Sequence, residues 1–270
     1  MSEPMASVPA ADLKACCADF YASDWVRLLL GDSLHPGGLA LTRRLGTLLG
    51  LKAGDRVLDV ACGGGASAIE LARTFDSRVL GVDYSTESVR AAAASAAEAG
   101  LSGSLDFMVG DAEGLAVEDD RFDVVVCECA LCTFPDKNAA VREFERVLAV
   151  NGRVGIGDIV RSGPLSPELD TLLARVACLA DARPLDEYTR LLEDVGFRVI
   201  AAERHDEALT SMVDDIRGRL LAAEPVVKLA RVELPRAHFE QAKALAKSAA
   251  AAVFDGRLGY VLLTAAKGAP

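Results

Sequence analysis

The 270-residue chain has no run approaching the roughly 20 consecutive apolar residues that a membrane-spanning helix needs, so no membrane partner is expected. Met1 to Ala10 lacks the basic start and apolar stretch of a secretion signal, which makes a cytoplasmic location the expectation. Positive charge is also short: 29 Lys and Arg face 40 Asp and Glu, a net charge of −11. Nucleic-acid affinity rests largely on basic side chains neutralising phosphates, so no nucleic-acid partner is expected either. Histidine is scarce, with only three, His35, His205 and His238, which limits the choice of general bases. Internal repeats and low-complexity linkers are absent. A chain that is 51% hydrophobic and 26% charged reads as globular, long enough for one substantial core plus an elaboration. Composition gives no oligomeric state.

Cysteine, in contrast, is plentiful. Seven cysteines (Cys16, Cys17, Cys62, Cys127, Cys129, Cys132 and Cys178) without an export signal suit free thiols, ligands or catalytic groups better than a disulfide framework.

The apolar pattern alternates between short runs and helical spacing. Leu13 to Tyr21, Trp25 to Leu30 and Leu39 to Leu49 read as helices, with a break around Gly31 to Gly38. Strands are expected at Arg56 to Val60, Arg78 to Val82, Leu105 to Val109, Phe122 to Cys127 and Arg153 to Val160, with helices at Ser67 to Thr74, Ser85 to Ala99 and Asn138 to Leu148 between them. Strands interleaved with helices indicate an α/β, doubly wound, mainly parallel sheet. Beyond Pro164 the pattern is helical to Ala180, helical again from Pro184 to Val195, then a sixth strand follows at Phe197 to Ala202 and a seventh at Tyr260 to Thr264. The expected organisation is an N-terminal helical preface or lid over 1–48, a core over 49–204, a helical cap insertion over 205–256, and a final strand and tail over 257–270.

The segment Asp59-Val60-Ala61-Cys62-Gly63-Gly64-Gly65 ends a strand and opens into a helix, a geometry that brings backbone amides close to a ligand. Its glycines do not fit the G-x-G-x-x-G register of dinucleotide-binding enzymes. The segment resembles the D/E-x-G-x-G-x-G loop of class I methyltransferases, with Ala61 in place of the first glycine. Asp83-Tyr84 closes the second strand, Gly110-Asp111-Ala112 the third, and Leu148 to Gly152 is similar to the family's turn before strand five. The resemblance runs from about Leu49 to Gly196 and implies a Rossmann-like seven-stranded sheet and S-adenosylmethionine (SAM) as cofactor. It further implies cofactor contacts from Asp59, Ala61, Gly63, Gly65, Asp83, Tyr84, Asp111, Ala112 and Cys127, with Asp83 on the ribose hydroxyls and Asp111 on the adenine amino group.

The acceptor side is read from the stretch Cys127 to Lys137. It has no Asp/Asn-Pro-Pro-aromatic segment of the kind found in DNA and protein amide methylases. Instead it resembles arsenite methyltransferases, in Cys129 followed by Pro135-Asp136-Lys137, with a second likeness at Cys178-Leu179-Ala180. That likeness implies trivalent arsenic held by the thiolates of Cys129 and Cys178, with Cys17 as a third catalytic candidate, and no resident metal. An arsenic lone pair carries no proton, so such a site needs no general base. An O- or C-methyltransferase of a small organic molecule, resembling the quinone-biosynthetic branch, would need one, and His35 and Glu128 are its candidates. Tyr21 and Trp25 could form a lid over the cofactor. A non-catalytic SAM- or metalloid-binding regulator is the remaining alternative.

Overall fold

The structure, a computed structural model, describes residues 9–23, 26, 34–229 and 236–268. Seven strands form one sheet: β1 (Arg56–Val60), β2 (Arg78–Asp83), β3 (Leu105–Val109), β4 (Phe122–Glu128), β5 (Leu148–Arg161), β6 (Phe197–Arg204) and β7 (Leu258–Lys267), in the order β3-β2-β1-β4-β5-β7-β6. The first five are parallel, and β7 inserts antiparallel between β5 and β6. This is the doubly wound sheet expected from the sequence. Strands buried on both faces must be apolar throughout. Val57, Leu58 and Val60 of β1 and Val124, Val125 and Val126 of β4 accordingly have no exposed surface.

Helices cover both faces: α1 (Ala10–Ala22), α2 (Gly38–Leu48), α3 (Ala66–Phe75), α4 (Thr86–Glu98), α5 (Lys137–Val147), α6 (Leu172–Val176), α7 (Leu185–Glu193), α8 (Asp206–Leu229) and α9 (Arg236–Phe254). Their starts follow capping chemistry. Ser85 Oγ accepts from Ser88 N at 3.2 Å to open α4, and Asp136 Oδ1 accepts from Ala139 N at 2.9 Å to open α5. The Asp136-Lys137 pair therefore has local structural work: Lys137 Nζ is buried against Asp181 at 2.6 Å and the Phe134 carbonyl at 3.0 Å.

Three boundaries differ from the sequence expectation. The helical pattern from Pro164 to Ala180 condenses to a single turn at Pro167–Leu169 and the short α6. Proline at 167 forces Ser166 into an extended backbone, and Thr171 Oγ1, accepting from Ala174 N at 3.1 Å, restarts the helix. β5 begins at Leu148, before the Asn151-Gly152 turn, because Leu148 already pairs with Phe122 across a register shift. β7 runs beyond Tyr260 to Thr264 at both ends because it has partners on both sides. The helix expected at Trp25 to Leu30, and Trp25 as a lid residue, lie outside the described residues apart from Val26.

The sheet order reverses between β1 and β4. Crevices at such switch points, beyond the carboxyl ends of the strands, are where doubly wound folds bind ligands. Asp59, Asp83, the Gly110–Ala112 segment and Glu128 all come to that edge.

Candidate active site

The loop after β1 turns by three positive backbone angles: φ is 60° at Ala61, 52° at Gly63 and 80° at Gly65. Glycine adopts this region freely, whereas alanine is strained there. The replacement of the first glycine of the resembling loop therefore has a cost at Ala61. Ala61→Gly is expected to raise stability by ~0.5–1 kcal/mol once the greater flexibility of unfolded glycine is allowed for. Thermal unfolding checks it, and a lower midpoint would mean that the Ala61 methyl group contributes more packing than its backbone loses in strain.

Gly64 opens onto free space, since a Cβ there would meet nothing within 4 Å. Gly65 has a different task from the expected ligand contact. It lines neither part of the cleft, and a Cβ on it would come within 2.9 Å of the Ala92 Cβ, so glycine here lets α3 and α4 pack closely.

Four acidic side chains surround the cleft. Asp83 Oδ1 accepts from Ser85 N and Oδ2 from Gly63 N, both at 2.8 Å, which ties the end of β2 to the glycine loop. Burial pushes its carboxyl pKa up, partly offset by those two amides. Asp59 is 2% exposed, and its Oδ2 is buried without any hydrogen-bond partner. Burial raises its pKa well above the ordinary range, with Glu128 and Asp83 adding repulsion. Glu128, at the end of β4, accepts from Thr42 Oγ1 at 3.0 Å. Asp111 accepts from Lys14 Nζ of α1 at 2.7 Å, and Lys14 also reaches Glu113 at 2.6 Å. Among the described residues no Lys or Arg lines the part of the cleft around Asp59 and Glu128. An unpartnered buried carboxylate oxygen beside two further acids calls for a cationic ligand. SAM, with an ammonium and a sulfonium, meets that requirement.

Ala61, Gly63, Asp83, Tyr84, Asp111 and Ala112 line the cleft as expected. Cys127 does not: it has no exposed surface and packs among Leu58, Val125 and Phe144. The two-residue alternation of β4 turns Cys127 to that cluster and leaves Glu128 facing the cleft.

His35 is buried at 7% exposure beside α2. Its Nδ1 is 3.2 Å from the Pro36 carbonyl, and its Nε2 is 3.2 Å from Thr42 Oγ1 and 3.7 Å from Glu128 Oε2. The two base candidates named from the sequence are thus neighbours. His205 lies apart, paired with Glu203 at 2.9 Å.

The structure also brings the cysteines together. Cys178 Sγ donates to the Cys129 carbonyl at 3.1 Å, and Cys129 and Cys132 belong to the same packed cluster as Cys178. Cys17 faces the same group from α1, its thiol pushed up to about 12, chiefly by burial. Cys132 had no expected role, and neither did Asp158, which accepts from Cys132 N at 2.9 Å. Burial, then Cys178, pushes the Asp158 carboxyl up to about 7. A lone acid in the apolar run Ile156-Gly157-Asp158-Ile159 was the sequence signal for it. Among the described residues no group of three or more His, Cys, Asp or Glu is arranged to hold a metal ion.

A second cavity, of about 530 Å³, opens beside the cleft between α1, α6, α8 and α9. Tyr21 and Cys129 line both spaces and form the neck between them. Its walls include Phe20, Ile159, Leu173, Val213 and Leu245, with no Asp, Glu, Lys, Arg or His among the described residues.

Residues 51–196 match the profile of a methyltransferase domain family. The chain is 31% identical to the methyltransferase GfsG of Streptomyces halstedii over 92% of its own length and 93% of that protein. It is also 31% identical to the 27-O-demethylrifamycin SV methyltransferase of Amycolatopsis mediterranei, over 91% of this chain and 93% of that one. Among solved structures it is similar to a geranyl diphosphate C-methyltransferase from Streptomyces coelicolor A3(2) in complex with S-adenosylhomocysteine (SAH), with a TM-score of 0.73 at 19% identity over 96% of this chain and 100% of that one. A Haemonchus contortus phosphoethanolamine methyltransferase, also with SAH, gives a TM-score of 0.78 at 21% identity over 98% of this chain and 61% of that one. The chain belongs to the methyltransferase domain family and is a SAM-dependent methyltransferase.

Proposed function

We propose that the acceptor is an uncharged, mainly apolar organic molecule that lies in the second cavity and presents an oxygen or carbon nucleophile at the neck. The observation that carries this reading is the cavity itself, about 530 Å³, with no Asp, Glu, Lys, Arg or His among the described residues of its walls. That volume is in the range of pockets that enclose drug-sized ligands and far beyond what a three-coordinate arsenic needs. The walls also favour a neutral body, because a phosphate there would be desolvated without a cation to pair it. Relatives whose names specify 27-O-demethylrifamycin SV methylation and O-methylation agree with an organic acceptor. The thiols remain the support for arsenite, but only Cys16 and Cys129 reach the cavity wall.

On the donor side, SAM supplies an activated methyl group on a sulfonium. Asp83 holds the ribose hydroxyls, Asp111 and Ala112 the adenine edge, and Asp59 with Glu128 and the open backbone at Gly64 the ammonium end. On the acceptor side, His35 is the proton acceptor. With Nδ1–H donating to the Pro36 carbonyl, a tautomer assigned from the hydrogen bonding, Nε2 carries the lone pair, 3.2 Å from a Thr42 hydroxyl that donates to Glu128. Glu128, 3.7 Å from Nε2, stabilises the imidazolium once the proton has arrived. Tyr21 and Cys129 shape the neck and set the line of approach.

The test measures SAH formation with three acceptor sets: neutral hydroxylated macrocycles and phenols, phosphoethanolamine, and arsenite with a thiol reductant. Turnover is expected with members of the first set and not with the other two. Phosphoethanolamine or arsenite turnover exceeding that of every neutral acceptor would sink the reading.

A further inference from the structure

Three thiols meet under the neck, none required by methyl transfer to an organic acceptor. Cys129 follows β4, Cys132 lies in the next turn, and Cys178 follows α6. Cys129 and Cys178 both hold left-handed backbones, with φ of 53° and 63°. Such angles cost energy in a residue other than glycine, and surrounding structure must enforce them. Here the enforcement includes Cys129 N donating to the Gly157 carbonyl at 2.6 Å and Cys178 N donating to the Arg175 carbonyl at 3.1 Å. The result brings Cys178, from a different element, directly against residue 129, its Sγ 3.1 Å from the Cys129 carbonyl.

Access to the group is one-sided. Cys129 lines both the cofactor cleft and the acceptor cavity, whereas Cys178 and Cys132 are 1% and 0% exposed behind it. The group is also tied to α1, since Tyr21 Oη lies 3.3 Å from Cys178 Sγ. Hydrogen bonds from Cys129 and Cys132 lower the Cys178 pKa well below the ordinary thiol range against the effect of burial, with further help from Tyr21 and Lys137. The same hydrogen bonding and burial push the Cys129 thiol well up, so Cys178 is the base of the pair and the reachable Cys129 sulfur becomes nucleophilic only as its proton leaves for Cys178.

We propose that Cys129 and Cys178 are a dithiol pair that peroxides close into a disulfide at the neck, which loosens α1 and weakens cofactor binding. A peroxide entering the cavity meets Cys129. The Cys129 sulfur attacks one peroxide oxygen as its own proton passes to Cys178, and the O–O bond breaks to leave a sulfenic acid and a hydroxide, which takes up the Cys178 proton and becomes water. The Cys178 thiolate then attacks the Cys129 sulfur, forms the S–S bond and expels hydroxide, which is protonated by solvent. Two thiols and one hydrogen peroxide become one disulfide and two waters, the two electrons passing from sulfur to oxygen. The disulfide sulfur is a poor acceptor for Tyr21, so α1 loses one of its ties beside the cleft, another being Lys14 to Asp111 and Glu113.

The experiment treats the full chain with hydrogen peroxide, blocks the remaining thiols with iodoacetamide, and maps cross-linked peptides by mass spectrometry. SAH affinity is measured in parallel, so no methyl acceptor is needed and the outcome is separable from the acceptor assignment. A peptide pair joining Cys129 to Cys178, with at least tenfold weaker SAH binding that dithiothreitol restores, is expected. Cys178→Ala should bind SAH with the same affinity before and after peroxide. The proposal is overturned if both cysteines of oxidised wild type are recovered alkylated, if the bond joins another pair, or if the bond forms and SAH affinity does not change. Peptide mapping of wild type decides the matter even if the variant does not fold.

Discussion

Asp83→Ala is expected to weaken SAM and SAH binding by at least ~100-fold, measured by calorimetry on protein shown to be folded by its thermal transition. Each charged hydrogen bond to a ribose hydroxyl is worth ~1.5–3 kcal/mol, and two are lost together. The structure adds a second component that hydroxyl contacts alone do not include. Asp83 also accepts from Gly63 N and Ser85 N, both at 2.8 Å, so its removal frees the glycine loop as well as the ribose site. Asp83→Asn should fall between wild type and Asp83→Ala, because one oxygen is kept and the charge is lost. An alanine variant with wild-type affinity would overturn the ribose assignment.

His35→Gln is expected to lower kcat by ~10²–10⁴ with a neutral hydroxylated acceptor while SAH affinity stays within about twofold. Glutamine retains hydrogen bonding toward Thr42 but has no site that takes a proton at the pH of the assay. Glu128→Gln should be slower than wild type and should also bind SAH more weakly, because Glu128 faces both His35 and the ammonium end of the cofactor. That split between kcat and affinity separates the two residues. Unchanged kcat in His35→Gln would remove His35 as the base, and a parallel loss of SAH affinity would show that it only supports the cleft.

The donor half of the site was legible because its parts are local. Asp59 to Gly65, Asp83 and Asp111 each sit where a short apolar run stops, and a parallel sheet brings the ends of its strands to one edge. Even so, Gly65 and Cys127, expected among the cofactor contacts, pack against Ala92 and into the Leu58 cluster. Their spacing within the motif is right, but direction depends on strand alternation and on what the facing helix presents, which spacing does not express.

The acceptor half was less legible for a physical reason. The arsenite resemblance rested on where cysteines stand along the chain, and the structure does bring Cys129 and Cys178 together. It also packs Cys132 with them, sets Tyr21 Oη 3.3 Å from Cys178 Sγ, and places an apolar chamber beside them that no single segment announces.

The sequence by itself determined the sheet, the loop and the cofactor class, because strand periodicity and the chemistry of capping and glycine turns act over a few residues. Only the tertiary structure decided the second cavity beside the cofactor cleft. The acceptor cavity is enclosed by α1, α6, α8 and α9, which come from both ends of the chain and the middle, and the charge and volume of an enclosed space belong to the packing of those helices.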